Sequence, residues 1–388
     1  MRYDFSVMTD RRNTNSMKWD VEDSILPMWV ADMDFRTAPE IIEAIEVKVR
    51  KGIFGYTTVP DDWYKSIGDW WERRHNFRID RDWLIFCTGV VPAISSAVRK
   101  LTTVGENILV QTPVYNIFFN SILNNGRNVV ENRLIYDDGE YSIDFKDLED
   151  KLSDPQTTMM ILCNPHNPIG KVWDREVLER IGELCHKYGV IVISDEIHCD
   201  LTEKGYGYIP FASVSGKCAD ISITCIAPTK AFNIAGLQTA AVVVPNAMLR
   251  HRMNRALNTD EVAEPNAIAM EATIAAFTEG EEWLDELNSY LAENRRFAAD
   301  FMESLLPELH LVKAHSTYLL WVDVRSITMD TVRLCRYLRE ESGLYVSAGD
   351  AYGASGKGFI RINAACPRER LRDGLERLRK GIEKYNNF

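Results

Sequence analysis

Through the middle of the chain, apolar runs of five or six residues alternate with amphipathic stretches. That alternation is the pattern of a parallel sheet covered by helices. Residues 83–87, 107–111, 158–163, 190–194 and 221–226 read as strands. Most of them are apolar throughout, as expected for strands buried on both faces. After the first, Thr88-Gly89-Val90-Val91 reads as an exit turn, and Pro92 suits the first turn of a helix, where its missing N–H costs nothing. Ile94, Ala97, Val98 and Leu101 then keep the spacing of one buried helical face. Asp174 can cap a second helix, lined by Val177, Leu178, Ile181, Leu184 and Cys185 and stopped by Gly189.

From about Gly280 the texture changes. A charged amphipathic stretch over 283–306 leads to strands at 318–322 and 359–362, with helical patterns over 331–341 and 368–384. Interleaved strands and helices in a short tail predict a separate, smaller α+β domain. The expected division is a large domain over 46–282 and a small one over 283–388, with residues 1–45 packing against the small one. A chain of 388 residues is long enough for two unequal domains.

Fifty-seven acidic residues against 45 basic ones give a net charge of −12. That balance argues against nucleic acid or an anionic membrane as the main partner. Asp4 interrupts the place of a signal peptide's apolar stretch, and no apolar run approaches a membrane span. The eight cysteines stand singly with no Cys-x-x-Cys pair, and the seven histidines are scattered, so no metal site is expected. Reduced, buried thiols suit the cytoplasm, which is the expected location.

Ligands of an open parallel sheet bind beyond the carboxyl ends of its strands. The residues at those ends are Gly89, Asn164, Asn167, Asp195, Thr229 and Lys230. One site could therefore hold an anion cradle, amides, a carboxylate and an amine. Taken singly, each has a plainer use: Lys230 as a solvated surface lysine, Asp195 as a cap, Asn167 as a turn residue between prolines, and Gly89 as an ordinary turn glycine. The backbone amides of Gly89, Val90 and Val91, ahead of a helix, suit a phosphate. Arg361 lies inside the apolar run 359–362, where burial is costly unless an anion is held.

Three segments then carry a resemblance: Asn164-Pro165-His166-Asn167-Pro168-Ile169-Gly170, Ser194-Asp195-Glu196-Ile197-His198, and Pro228-Thr229-Lys230-Ala231-Phe232-Asn233-Ile234-Ala235-Gly236-Leu237. With Arg361-Ile362-Asn363 as a fourth, the chain resembles the fold-type I class I/II aminotransferases that depend on pyridoxal 5′-phosphate (PLP). Residues 29–35, Gly55-Tyr56-Thr57 and Thr88 to Pro92 resemble the bacterial cystathionine β-lyase, or C–S lyase, branch of the MalY/PatB type. The resemblance implies a large α/β domain with a mostly parallel seven-stranded sheet sandwiched by helices, plus the small domain.

By the same resemblance Lys230 would carry PLP in Schiff-base linkage and move the substrate Cα proton. Asp195 would face the pyridine nitrogen, Tyr115 would stack on the ring, and Asn167 would reach the cofactor's phenolic oxygen and help to place the substrate carboxylate. Thr229 would add a hydroxyl to the phosphate, and Arg361 would grip the substrate carboxylate, with Ala31 in the substrate pocket. His198 is either near the phenolic oxygen or simply packed, and Tyr115 and Tyr56 could equally be core and loop aromatics. Tyr56 would reach into a neighbouring subunit's site, which implies a homodimer. Ala227 and Gln238 stand where the broader class often has a hydroxyl and an arginine, so the phosphate needs other donors. The implied reaction is β-elimination of cystathionine or another S-substituted L-cysteine to a thiol, pyruvate and ammonia. Transamination between an amino acid and a 2-oxo acid is the first alternative, and a regulatory, protein-binding role on the same fold is the second.

Overall fold

The computed structural model describes residues 2–386. Seven strands form the central sheet: β1 (Leu84–Cys87), β2 (Asn107–Thr112), β3 (Asn128–Arg133), β4 (Thr157–Cys163), β5 (Ile191–Asp195), β6 (Ser222–Ile226) and β7 (Ala240–Val243). Their order across the sheet is β1-β7-β6-β5-β4-β2-β3. All neighbours are parallel except those of β7, which runs antiparallel to both β1 and β6. The expected parallel, helix-covered sheet is therefore present.

The strand boundaries differ from the sequence pattern by a residue or so. Trp83 falls in a 3-10 turn (Arg81–Trp83) ahead of β1, and Asp195 is the last residue of β5 instead of lying beyond it. Helix Val90–Leu101 begins two residues before Pro92, so Val90 and Val91 open the helix instead of sitting in an exit turn. It buries Ile94, Ala97, Val98 and Leu101 as their spacing requires. Asp174 caps helix Arg175–Lys187 by accepting the Val177 amide at 2.8 Å. Gly189 comes just after it at φ +70°, a conformation that suits glycine.

Register sets the site. Across the sheet Cys163 pairs with Asp195, and Asp195 with Cys225, so β4, β5 and β6 end level with one another. The connections leaving these strands open on the same edge: Asn164 after β4, Glu196 after β5, and the Pro228–Lys230 turn after β6. That turn is tightened by the Phe232 amide donating to the Pro228 carbonyl and the Ile234 amide to the Thr229 carbonyl, at 2.9 and 3.1 Å.

Past helix Glu281–Leu305, a four-stranded antiparallel sheet forms from β8 (His310–Leu311), β9 (Leu319–Asp323), β10 (Ser347–Ala348) and β11 (Phe359–Asn363), in the order β8-β9-β11-β10. Helices Thr331–Glu341 and Arg368–Asn386 pack with it. Its core gathers Leu320, Ile360, Leu371 and Met302 with Trp19, Leu26 and Met28 from the amino-terminal segment. Leu26–Pro27 also pairs in parallel with Leu344–Tyr345. Phe5, Met33, Phe35 and Ile41 join the core of the large sheet instead. The first forty residues thus lie along both cores.

Between those contacts the segment 29–35 crosses the carboxyl edge of the large sheet. Asp34 moors it: this buried carboxylate accepts from Trp19 Nε1 at 2.7 Å and pairs with Lys18, Arg11 and Arg370 at 3.0, 3.1 and 3.2 Å. Burial alone would raise its pKa, but the surrounding cations hold it below the usual carboxylate range.

Candidate active site

A cavity of about 310 Å³ lies where the ends of β1, β4, β5 and β6 meet. Gly89, Val90 and Val91 form one wall, Asn167, Asp195 and His198 a second, and Thr229 and Lys230 a third, with Tyr115 and Ala31 completing it. Five of the six residues picked one at a time from strand ends thus share one chamber; Asn164 stays outside it, its Nδ2 donating to the Ile209 carbonyl at 2.9 Å.

Gly89 is the N-cap of helix Val90–Leu101, so the amides of Val90 and Val91 belong to the first turn, where no intrahelical acceptor exists. The Ala93 amide is already taken by the Gly89 carbonyl at 3.1 Å. Free amides at the positive end of a helix make an anion cradle. A β-carbon at Gly89 would stand 3.1 Å from Pro92 Cδ, a tight contact that glycine avoids.

Asp195 is buried, and Oδ1 accepts the Ile197 amide at 3.1 Å. Burial pushes its pKa up to about 6, against the lowering effects of that amide and of the Lys230 charge. Lys230 moves the other way, down to about 8, because desolvation and the Arg361 charge outweigh the nearby carboxylates of Asp32 and Asp195. An amine that loses its proton this close to neutrality can act as a nucleophile and a base. Its Nζ donates to the Ala31 carbonyl at 2.5 Å.

His198 is held neutral: burial first, then the Lys230 and Arg361 charges, lower its pKa to about 3. Its Nδ1 is buried without a hydrogen-bond partner, and the ring meets Tyr318 edge-on at 6.3 Å. Arg361 does not line the cavity but stands behind Asn167. Nη1 donates to Asn167 Oδ1 at 3.2 Å, Nη2 to the Trp29 carbonyl at 2.8 Å, and Nε is buried without a partner. The guanidinium lies 4.9 Å from the centre of the Tyr352 ring. Tyr56 stands apart, fully exposed and outside this chain's own cavity.

A model of the family described as "Aminotransferase class I and II" matches residues 25–378. The chain belongs to the class I and II aminotransferase family. It is 41% identical over 97% of its length to cystathionine beta-lyase PatB of Bacillus subtilis, covering 99% of that protein. It is 36% identical to protein MalY of Escherichia coli over 98% of this chain and 99% of the other. Among solved structures, cystalysin of Treponema denticola, which contains a pyridoxal 5′-phosphate cofactor, superposes with a TM-score of 0.96 at 34% identity, covering 99% and 100% of the two chains. The α/β architecture with its mostly parallel sheet is the PLP-dependent aminotransferase fold, and no helix of the described residues is long and apolar enough to cross a membrane.

Several wall residues lacked a signal in the sequence of this family member. Gln238 and Thr239 line the cavity, with Gln238 in the left-handed region at φ +54°. Gln238 was visible only as a missing arginine. Tyr318 donates to the Ala31 carbonyl at 3.1 Å and Tyr352 lies under Arg361, yet both come from the chain beyond helix Glu281–Leu305. Their approach to the large sheet is a tertiary fact that local pattern does not carry.

Proposed function

We propose that the chain is a PLP-dependent carbon–sulfur β-lyase acting on cystathionine or a related S-substituted L-cysteine, releasing a thiol, pyruvate and ammonia. The observation that carries this reading is the convergence, in one cavity, of an amine near neutrality, a buried carboxylate and a helix N-terminus, with Arg361 standing behind. The relatives' names supply the leaving group.

The residues fit the cofactor. Val90 and Val91 amides with the Thr229 hydroxyl would hold the phosphate, and Tyr115 would stack on the ring. Asp195 lacks a cationic partner strong enough to undo its burial, which a protonated pyridine nitrogen would supply. The unpartnered His198 Nδ1 and the Asn167 amide would face the phenolic oxygen. Lys230 would hold the cofactor covalently. Bound PLP supplies an electron sink for charge that develops at the substrate Cα.

The chain's own groups do the rest. Arg361, with Nε free, would take the substrate carboxylate, and Asn167 and Ala31 would border it. Once the substrate's own amino group has displaced it from its covalent link, the neutral Lys230 amine would take the Cα proton. As the Cα–Cβ double bond forms, the C–S bond breaks and sulfur leaves with the electron pair as a thiolate. The enamine left behind hydrolyses to pyruvate and ammonia.

Transamination would use the same residues and differ only in where the proton returns. Holoenzyme incubated with cystathionine and no 2-oxo acid separates the two. Pyruvate and a thiol released together are expected; no product until an oxo acid is added would overturn the lyase reading.

Two further parts belong to the same proposal. The chain works as a homodimer, because Tyr56 and its neighbours Ile53 and Phe54 are strongly exposed apolar groups on one extended segment. Eight free, buried cysteines suit a reducing cytoplasm.

A further inference from the structure

The segment 29–35 accepts hydrogen bonds from side chains of both sheets through successive backbone carbonyls. Trp29 O takes Arg361, Ala31 O takes Lys230 and Tyr318, and five more bonds join the segment to only two asparagines, four donated by their amides and one accepted from the Met33 amide. Asn233, three residues after Lys230, donates Nδ2 to the carbonyls of Met33 and Phe35 at 3.0 and 2.8 Å, and its Oδ1 accepts the Met33 amide at 2.9 Å. Asn363, two residues after Arg361, donates Nδ2 to the carbonyls of Val30 and Asp32, both at 2.5 Å. Its Oδ1 accepts the Ala365 amide of its own strand end at 2.8 Å.

We propose that Asn233 and Asn363 are paired positioning residues: two amide clamps that grip one strap and so fix the Lys230 amine and the Arg361 fork relative to each other. The two functional side chains come from different sheets and share no direct bond; their common reference is the strap, whose Trp29 and Ala31 carbonyls they hold. A side-chain amide suits this task because it satisfies donor and acceptor groups of an extended backbone together. Asn233 also takes φ +54°, which asparagine tolerates and most residues do not. Asp34, moored among Lys18, Arg11 and Arg370, holds the strap from outside the cavity lining. Without the clamps the strap keeps that mooring but loses its registry with the reacting groups.

The inference rests on the roles proposed above for Lys230 and Arg361, but one of its readouts does not. Asn233→Asp and Asn363→Asp each keep the accepting oxygen and exchange the two donations for a carboxylate oxygen that repels the same carbonyls. In cofactor-free protein, hydrogen–deuterium exchange is expected to rise within residues 29–35 in both variants while the central sheet stays protected. In the holoenzyme, small displacements of positioned groups are costly in rate, so kcat/KM should fall by roughly tenfold or more. The split should differ: the Asn233 variant loses mainly kcat, through Lys230, and the Asn363 variant gains mainly KM, through Arg361. The double variant should lose less than the product of the single losses, since one strap is freed once. Unchanged exchange in residues 29–35 overturns the clamps whatever the enzyme turns out to do. Exchange spread evenly over the whole protein also overturns them, as does local loosening with kcat/KM within twofold. Should no substrate be turned over by the unaltered protein, while exchange still rises locally, the lyase reading fails and the clamps stand.

Discussion

At the scale of single residues, the site is held in a state that folding alone would not choose. Asp195 is buried with one amide and a shared cation for company, and its pKa stands near 6 instead of 3.8. Below about pH 4 the group is neutral whether the chain is folded or not. As pH rises toward 6, the unfolded chain ionises first, so folding loses stability, and above 6 the loss is complete. A shift of that size corresponds to about 3 kcal/mol. Asp195→Asn should therefore stabilise the cofactor-free protein at pH 7 by up to about 3 kcal/mol, with the gain gone below about pH 4. Urea titrations across that range check it, and a gain that is flat with pH would refute the account. Added PLP should reverse the ranking, because only the carboxylate meets a cationic ring nitrogen.

The residues differ in how visible they are in the sequence. Lys230, Asp195 and Asn167 each stand at the end of an apolar run, so the sheet rule finds them without any partner being known. Arg361 announces itself as a guanidinium inside a buried strand. Asn233 and Asn363 do not, since their partners are backbone carbonyls 200 and 331 positions away, and a carbonyl carries no residue identity.

At the scale of elements, the parallel strands were legible because both of their faces are buried. The edge strand β3 was not: Asn128–Arg133 is half-exposed and carries Asn, Glu and Arg, so its composition reads as loop. The sequence pattern starts helix Val90–Leu101 two residues late because Pro92 is a conspicuous marker, yet Pro92 sits third in the helix. That shift matters chemically, since it makes the Val90 and Val91 amides true first-turn donors. Proline is tolerated at the first helical position and removes only an N–H that the helix does not use. Gly89 is extended, at φ 175° and ψ 160°, which a proline at the next position accepts. Val90→Pro should thus leave far-ultraviolet circular dichroism unchanged while deleting one donor to the phosphate. Hydrogen bonds to charged groups contribute about 1.5–3 kcal/mol, so half-reconstitution should need roughly ten times more PLP or beyond. An unaltered requirement would move the phosphate away from this helix.

At the scale of the whole molecule, Tyr56 is the exposed side chain that the proposed homodimer has to account for. The cavity is lined by a single chain's residues from four strand ends, while Tyr56 projects fully into solvent from the stretch between helices Pro39–Arg50 and Asp61–His75. A twofold dimer would bury Tyr56 and, by symmetry, give each site its partner's copy. Complementation tests that arrangement without depending on how large the interface is. Tyr56→Ala should bind PLP weakly, and Lys230→Ala should have no turnover at all. In a mixed dimer the site that retains Lys230 belongs to the Tyr56→Ala subunit, and it receives Tyr56 from its neighbour. One site in each mixed dimer is then whole, and random mixing makes half of the dimers mixed. Co-refolded equal amounts should recover about a quarter of the unaltered activity, where neither variant alone shows it. Recovery no greater than the average of the two separate variants would place Tyr56 outside the neighbouring site, however tightly the subunits associate.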